Sequence, residues 1–289
     1  MHPAPSIIVF TVLSGMGFGM LAFLGFSLDA PTGWGAFWFF LIAYALAVGG
    51  LVSSTFHLGH PERALKAFSQ WRSSWLSREG VLAVATLVVM GLYAFLLVFF
   101  GTQVSTLGFL GGGLALATVF ATSMIYAQMK TVPRWYHWSA PVMFLSFAIV
   151  GGALLTGKVA WVIWLLPLLG ILQFVGWMDQ DKHEAEAETN IASATGLGTI
   201  GEVRAFEAPH TGENYLTQEM VFRVGRKHLG KLKALSIFLF AFLPTVLLLL
   251  PFFHLFALLA VISHLAGVLV QRWVFFAEAK HVVSHYYGR

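Results

Sequence analysis

The sequence contains no cysteine. That absence removes disulfides, thiolate zinc sites, protein-ligated iron–sulfur clusters and cysteine nucleophiles together. Any electron-transfer metal held by this chain would have to use histidine. Charge is also scarce. Asp, Glu, Lys and Arg make up 10% of the 289 residues against 58% hydrophobic, and the mean hydropathy is +0.78. A soluble domain carries roughly 25% charged residues, so the chain reads as an integral membrane protein. There is no Walker A loop, serine-hydrolase elbow, His-Glu-x-x-His or EF-hand pattern, and nothing resembling a nucleic-acid module. The opening stretch MHPAPSIIVF lacks a basic n-region and a small-residue cleavage site. The first span is therefore expected to be retained rather than removed as a signal peptide.

What is present is apolar sequence in span-length blocks. A helix needs roughly 20 mainly apolar residues to cross the hydrocarbon core. Eight windows qualify, at 6–28, 35–57, 80–100, 106–129, 139–157, 160–178, 233–251 and 253–277. With eight spans both termini share one face. Of the 17 Lys and Arg residues, Lys158 alone then falls on the other face, leaving 17 − 1 = 16 with the termini. Such asymmetry marks the cytoplasmic side. The expected fold is an all-α integral membrane bundle of eight transmembrane helices with both termini cytoplasmic. It forms a single domain over 1–289, with a long cytoplasmic loop at 179–232. Gly15, Gly17 and Gly19, Gly111 to Gly113, and Gly151 with Gly152 suit close helix contact. Pro141, Pro167 and Pro244 are expected to kink their helices or stand in a first turn.

The segment from Ser53 to Glu79 concentrates ionisable and amphipathic residues between two spans: His57, His60, Glu62, Arg63, Lys66, Trp71, Arg72, Trp75, Arg78 and Glu79. Ionisable groups beside lipid are costly and point to function by default. An ordinary basic interfacial loop with anchoring tryptophans is the plain alternative. Against it, His57 ends an apolar span and Glu79 opens the next one. A His–carboxylate pair at a lipid-facing cleft can hydrogen-bond a quinone carbonyl and exchange its protons with water. Residues Glu62 to Phe68 can form a short amphipathic surface helix. A second cluster on the same face, Lys130 to Trp138, offers Tyr136 and His137 to the same cleft or to an aromatic girdle.

Other features have plainer explanations. Gly196-Leu197-Gly198-Thr199-Ile200-Gly201 fits the dinucleotide fingerprint, but no strand precedes it, so flexible turns are expected instead. Residues 179–189 are acidic and consistent with a solvated helix. Residues 212–233 form a basic amphipathic stretch that could dock a soluble partner or lie on anionic headgroups. His254 and His264 lie about 15 Å apart along the last span at 1.5 Å per residue. With His281 and His285 they are candidate haem ligands, against the commoner role of hydrogen-bonded packing groups. Arg272 is expected to snorkel or to pair with Glu278 or a ligand.

The run His57-Leu58-Gly59-His60-Pro61-Glu62-Arg63-Ala64, then Ser74 to Glu79, then Thr131-Val132-Pro133-Arg134-Trp135-Tyr136, resembles the membrane anchor subunit of dimethyl sulfoxide reductase-type molybdoenzymes. HPAPSIIVFT and PHTGENYL (209–216) fit the same family. The resemblance covers essentially the whole chain and has the same span count. It implies a bacterial inner-membrane anchor holding a molybdopterin catalytic subunit and an iron–sulfur electron-transfer subunit, and exchanging electrons with ubiquinone or menaquinone. It also implies no metal bound by the anchor itself.

By this resemblance His57 and Glu79 belong to the quinone site. Arg63, Trp71, Tyr136 and His137 are expected to line or brace it. Arg72, Arg78, Arg134, Arg223, Arg226 and Lys227 are the cations expected to meet the partners. The cytoplasmic placement of these loops favours the anchor of a sulfite:quinone oxidoreductase. An anchor of a dimethyl sulfoxide or related oxide reductase fed by menaquinol is the first alternative. A structural anchor with no quinone site of its own is the second.

Overall fold

The structure, a computed structural model, describes residues 1–56, 61–187, 190–207, 209–221, 226–251 and 254–287, with the side chains at 61–64 and 226 outside the described set. Among the described residues there is no β-strand. In chain order the helices are α1 (Pro5–Phe26), α2 (Gly33–Thr55), α3 (Trp75–Phe100), α4 (Ser105–Ala127), α5 (Ser139–Leu155), α6 (Val159–Glu186), α7 (Ile191–Thr195), α8 (Leu229–Ile237), α9 (Leu243–Leu249) and α10 (His254–Glu278). A 3-10 surface helix, Pro61–Gln70, precedes α3, and a π-helical turn, Phe238–Phe242, joins α8 to α9.

Helices occupy all eight expected windows. Seven are long and apolar enough to cross a bilayer, counting Leu229–Leu249 as one passage. The eighth, α5, has 17 residues, about 25 Å at 1.5 Å per residue. It runs antiparallel to α10: Phe144 and Phe147 lie beside Arg272, and Gly151 lies beside His264.

Three boundaries differ from expectation. α3 starts at Trp75, because the Ser74 hydroxyl caps it by accepting the Ser77 N–H at 3.5 Å. Glu79 therefore sits in the second turn rather than at the opening of the helix. α6 continues through the acidic segment to Glu186, which shortens the long loop by two helical turns. The seventh passage is interrupted at its π turn. Pro244 has no N–H to give to the Phe240 carbonyl four residues back. That oxygen instead faces His264 Nδ1 at 2.7 Å, and Ser263 Oγ donates to the Leu239 oxygen at 2.7 Å.

Helix α1 is the axis of the bundle, with 72% of its apolar window buried, against 22–50% for the other six passages. Its glycines explain how so many neighbours fit. A Cβ on Gly19 would strike the backbone of Ala148 in α5, and one on Gly17 the backbone of Ala43 and Ala47 in α2. Small residues let backbones meet where lipid gives no hydrophobic drive between helices. Large side chains such as Trp34, Phe99, Trp161 and Trp164 point outward and are exposed, as lipid-facing positions allow.

The two ends of the bundle are joined differently. At one end Ser53 Oγ donates to the Ser6 carbonyl at 3.0 Å, and Val282 N–H to that of Thr131 at 3.0 Å. This is the end that carries the clustered basic residues. At the other end the Gln103 amide donates to the Ser27 carbonyl at 2.8 Å.

Candidate functional site

Glu79 is the buried carboxylate of the basic end. It is 4% exposed and faces α4, where the Thr122 hydroxyl approaches its Oε1 at 2.5 Å. The same hydroxyl lies 3.1 Å from the Thr118 carbonyl. One hydroxyl proton cannot serve both acceptors at full strength. A protonated carboxyl resolves the competition, donating to Thr122 while Thr122 donates to Thr118. A carboxylate claims the Thr122 proton for itself. The geometry thus accepts either form of Glu79, as a group that picks up and releases a proton requires.

The loop before α3 is seated on the next residue, Gly80. Phe68, from the surface helix, rests on Gly80, where an added Cβ would meet its ring at 3.1 Å. Arg78 ties the loop down, with Nε donating to the Trp71 carbonyl at 3.0 Å and Nη2 to that of Arg72 at 2.6 Å. Its guanidinium also lies 4.4 Å from the Trp75 ring centroid. Arg78, expected to meet a partner, is therefore occupied within the chain. Arg72 remains exposed beside the exposed Trp71, with its guanidinium 5.5 Å from that ring. The surface helix expected at Glu62 to Phe68 is present as the 3-10 helix Pro61–Gln70. His57 and Arg223 lie outside the described residues, as do the side chains of Arg63 and Arg226. Lys227 is exposed.

The second expected cluster makes its contacts with α6 and within its own loop. His137 packs against α6, with Nδ1 2.8 Å from Ser139 Oγ and Nε2 3.3 Å from Asp179. Burial pushes its pKa below the ordinary histidine value, partly opposed by Asp179 and reinforced by His183, whose ring centroid is 5.1 Å away. Tyr136 is exposed, with Lys130 Nζ 5.8 Å from its ring. Between the two clusters stands an aromatic knot. Trp135 stacks on Phe275 at 5.5 Å and donates its indole N–H to the Phe275 carbonyl at 3.0 Å, and Tyr126 meets Trp135 edge-on at 5.3 Å.

Arg134 does not stand free for a partner either. It is 4% exposed and holds Asp181, Glu184 and Glu278 at 2.5, 2.8 and 3.0 Å. Burial works against its charge, but those carboxylates more than offset it, so its pKa stands above the ordinary arginine value. Lys233 adds a second cation to Glu278 at 2.6 Å, and Lys280 one to Glu184 at 3.2 Å. The acidic stretch read as a solvated helix thus works as half of a clamp joining α6, α8 and α10.

Two expectations for α10 change. Arg272 neither snorkels nor reaches Glu278; it is 2% exposed within the bundle. His264 is engaged through Nδ1 with the Phe240 carbonyl freed by Pro244, the contact expected of a hydrogen-bonded packing group. His254 starts α10 at the opposite end of the helix from Glu278. Among the described residues no three His, Asp or Glu gather as a metal site. Gly196 adopts φ +70° to end α7, which is a turn and no part of a nucleotide fold.

Thr122 was not legible as a site residue. Its only signal is a pair of threonines, Thr118 and Thr122, four apart on a Gly/Ala-rich span, which places both on one helical face.

These features define a class: a multi-pass, all-helical membrane protein whose one conspicuously basic end carries a buried carboxyl and, next to it in the chain, a docked loop. The chain belongs to the DMSO reductase anchor subunit (DmsC) family, whose model matches residues 1–278. It is 30% identical to a sulfite dehydrogenase subunit from Allochromatium vinosum, with 99% of each chain covered. No solved structure matches it.

Proposed function

We propose that this chain is the quinone-reactive anchor of a three-subunit molybdopterin and iron–sulfur oxidoreductase, passing electrons from sulfite oxidation to the quinone pool. The observation that carries the proposal is the Glu79 carboxyl, buried beside Thr122 and one residue before Gly80, on which Phe68 seats the preceding loop. The family membership supports the reading that this anchor works with redox partner subunits. The likeness to a sulfite dehydrogenase subunit supports the choice of sulfite. The basic end faces the cytoplasm by the positive-inside rule, with α5 as the eighth crossing.

A quinone carbonyl needs a donor in apolar surroundings and a proton carrier nearby, and the residues fit that need. Glu79 provides the carboxyl. Ser77 Oγ, on the same stretch of α3, is buried with no hydrogen-bond partner among the described residues. When bound, quinone supplies two-electron, two-proton redox chemistry. Glu79 holds or releases a proton at its carboxyl, and Thr122 orients that carboxyl in either state. His57 donates to a quinone carbonyl. Trp71, at headgroup level, shields the loop from water.

Quinone reduction in membranes carrying His57→Ala or Glu79→Gln, with complex assembly followed in parallel, tests the proposal. Both variants are expected to assemble and to lose most of their quinone-linked turnover. Wild-type rates in both would remove the site assignment. Turnover with dimethyl sulfoxide and quinol, but none with sulfite and quinone, would transfer the chain to the reductase branch of its family.

A further inference from the structure

Arg272 sits six residues before the end of α10 at Glu278, roughly 9 Å into the bundle at 1.5 Å per residue. Its Nε and Nη1 are buried with no hydrogen-bond partner among the described residues. Glu278, the carboxylate beyond it on the same helix, is already held by Arg134 and Lys233. The guanidinium carbon lies 3.7 Å from the Phe144 ring centroid and 5.4 and 5.8 Å from those of Phe147 and Phe275. Aromatic faces attract a guanidinium but accept few of its hydrogen bonds, so much of the cost of burying this cation is unmet.

Arg272 borders a cavity of about 10 Å³, room for one water. The other polar walls are Thr11 and Ser14 of α1 and Thr122 of α4. Thr11 and Ser14 donate to carbonyls of their own helix, which leaves their oxygens free to accept. Thr122 is the hydroxyl that also meets Glu79. Tyr126, one turn further along α4, is within electrostatic reach of both Glu79 and Arg272. A fixed positive charge, a pocket with room for one water and an ionisable carboxyl thus share one threonine.

We propose that Arg272 is a positioning residue for proton exchange at Glu79, holding the carboxylate through Thr122 and one water in this cavity. The inference rests on the reading of Glu79 as the proton carrier. When the Glu79 O–H bond breaks, the proton leaves toward the basic end and the electron pair stays on the carboxylate. Arg272 offsets that charge from the interior side. The same cation repels protons from entering the bundle beyond Thr122, so exchange is confined to one side of the membrane.

The test uses the assembled complex in membranes with four variants: Arg272→Gln, Arg272→Lys, Glu79→Gln and the double variant Arg272→Gln/Glu79→Gln. Arg272→Gln is expected to lower quinone-linked kcat roughly tenfold or more, as loss of a nearby buried charge does, with KM for quinone little changed. Arg272→Lys is expected to recover most of the rate. On the residual rate of Glu79→Gln, removing Arg272 is expected to cost nothing further, because the two act as a unit. A fifth variant, Arg272→Met, is expected to keep or raise the thermal midpoint while losing turnover, since it deletes an unpaired buried charge.

A wild-type rate in Arg272→Gln, a lysine variant no better than the glutamine one, or losses that multiply in the double variant would each overturn the inference while leaving Glu79 in place. A wild-type rate in Glu79→Gln would instead overturn the reading on which it rests.

Discussion

Replacing Thr122 with valine keeps the shape of the side chain and deletes its hydroxyl. In the structure that hydroxyl is 2.5 Å from Glu79 Oε1, and the carboxyl around it is 4% exposed, so no bulk water replaces the lost bond. A hydrogen bond to a charged group contributes about 1.5–3 kcal/mol. At 1.4 kcal/mol per decade, that predicts a fall in quinone-linked turnover of roughly 10- to 150-fold if the carboxylate form is visited in each cycle. The bundle should be little affected, because the Thr122 side chain sits between helices where a methyl packs as well. The assay is steady-state quinone reduction by membranes of equal complex content, with Thr122→Ser as the control that restores the hydroxyl. A valine variant at the wild-type rate, or a serine variant as slow as the valine one, would refute the reasoning.

Gly80→Ala should be close to neutral, since the helix gains about 1 kcal/mol of propensity against the tight Phe68 contact. Gly80→Leu should lift the surface helix and slow quinone turnover in complexes that still assemble. His137 has a folded-state pKa depressed by burial, so the unfolded chain binds its proton more readily. Its contribution to stability is full above about pH 6.5 and is lost as pH falls below that value. Melting of the detergent-solubilised complex from pH 7.5 to 5.5 should therefore fall more steeply in wild type than in His137→Gln. Arg134→Ala should destabilise the basic end by about 1–3 kcal/mol, read as a lower melting temperature, because Glu278 and Glu184 keep their lysines while Asp181 is left alone. Since the chain has no cysteine, single-cysteine labelling reads sidedness without background. An impermeant maleimide should label Lys158→Cys on intact cells and Glu202→Cys only after lysis, and the reverse pattern would invert the proposed topology.

The element positions were largely legible because membrane-spanning sequence obeys one strong rule, and the apolar windows lie within a few residues of most helix ends. The misplaced boundaries have local causes. Apolarity marks where a helix is in lipid, whereas α6 continues into water until Glu186, where its charged turns are held by Arg134. The start of α3 was set by the Ser74 cap, which apolarity does not register. Part of the candidate site was legible for a similar reason. Glu79 is conspicuous as an acid at the head of a span. His137 and Arg134 belong to an equally conspicuous cluster, yet they serve α6 and α10. Nothing in a linear pattern distinguishes a cation facing a partner from one facing its own acidic helix.

The amino-acid sequence by itself determined that the chain lives in a membrane, where its helices lie, and that its basic residues gather at one end. Those properties follow from transfer free energies and charge placement, which are additive along the chain. Only the tertiary structure decided which polar side chains meet. It set His137 against Asp179, gave Arg134 to three carboxylates, tied His264 to the carbonyl that Pro244 frees, and brought Thr122 between Glu79 and the cavity beside Arg272. Such meetings depend on how the glycines of α1 let its neighbours close in, and therefore on rotation and depth of whole helices rather than on the composition of any one. The segment around Glu79 is expensive in lipid on sequence grounds alone; its partners across the bundle make it a candidate site.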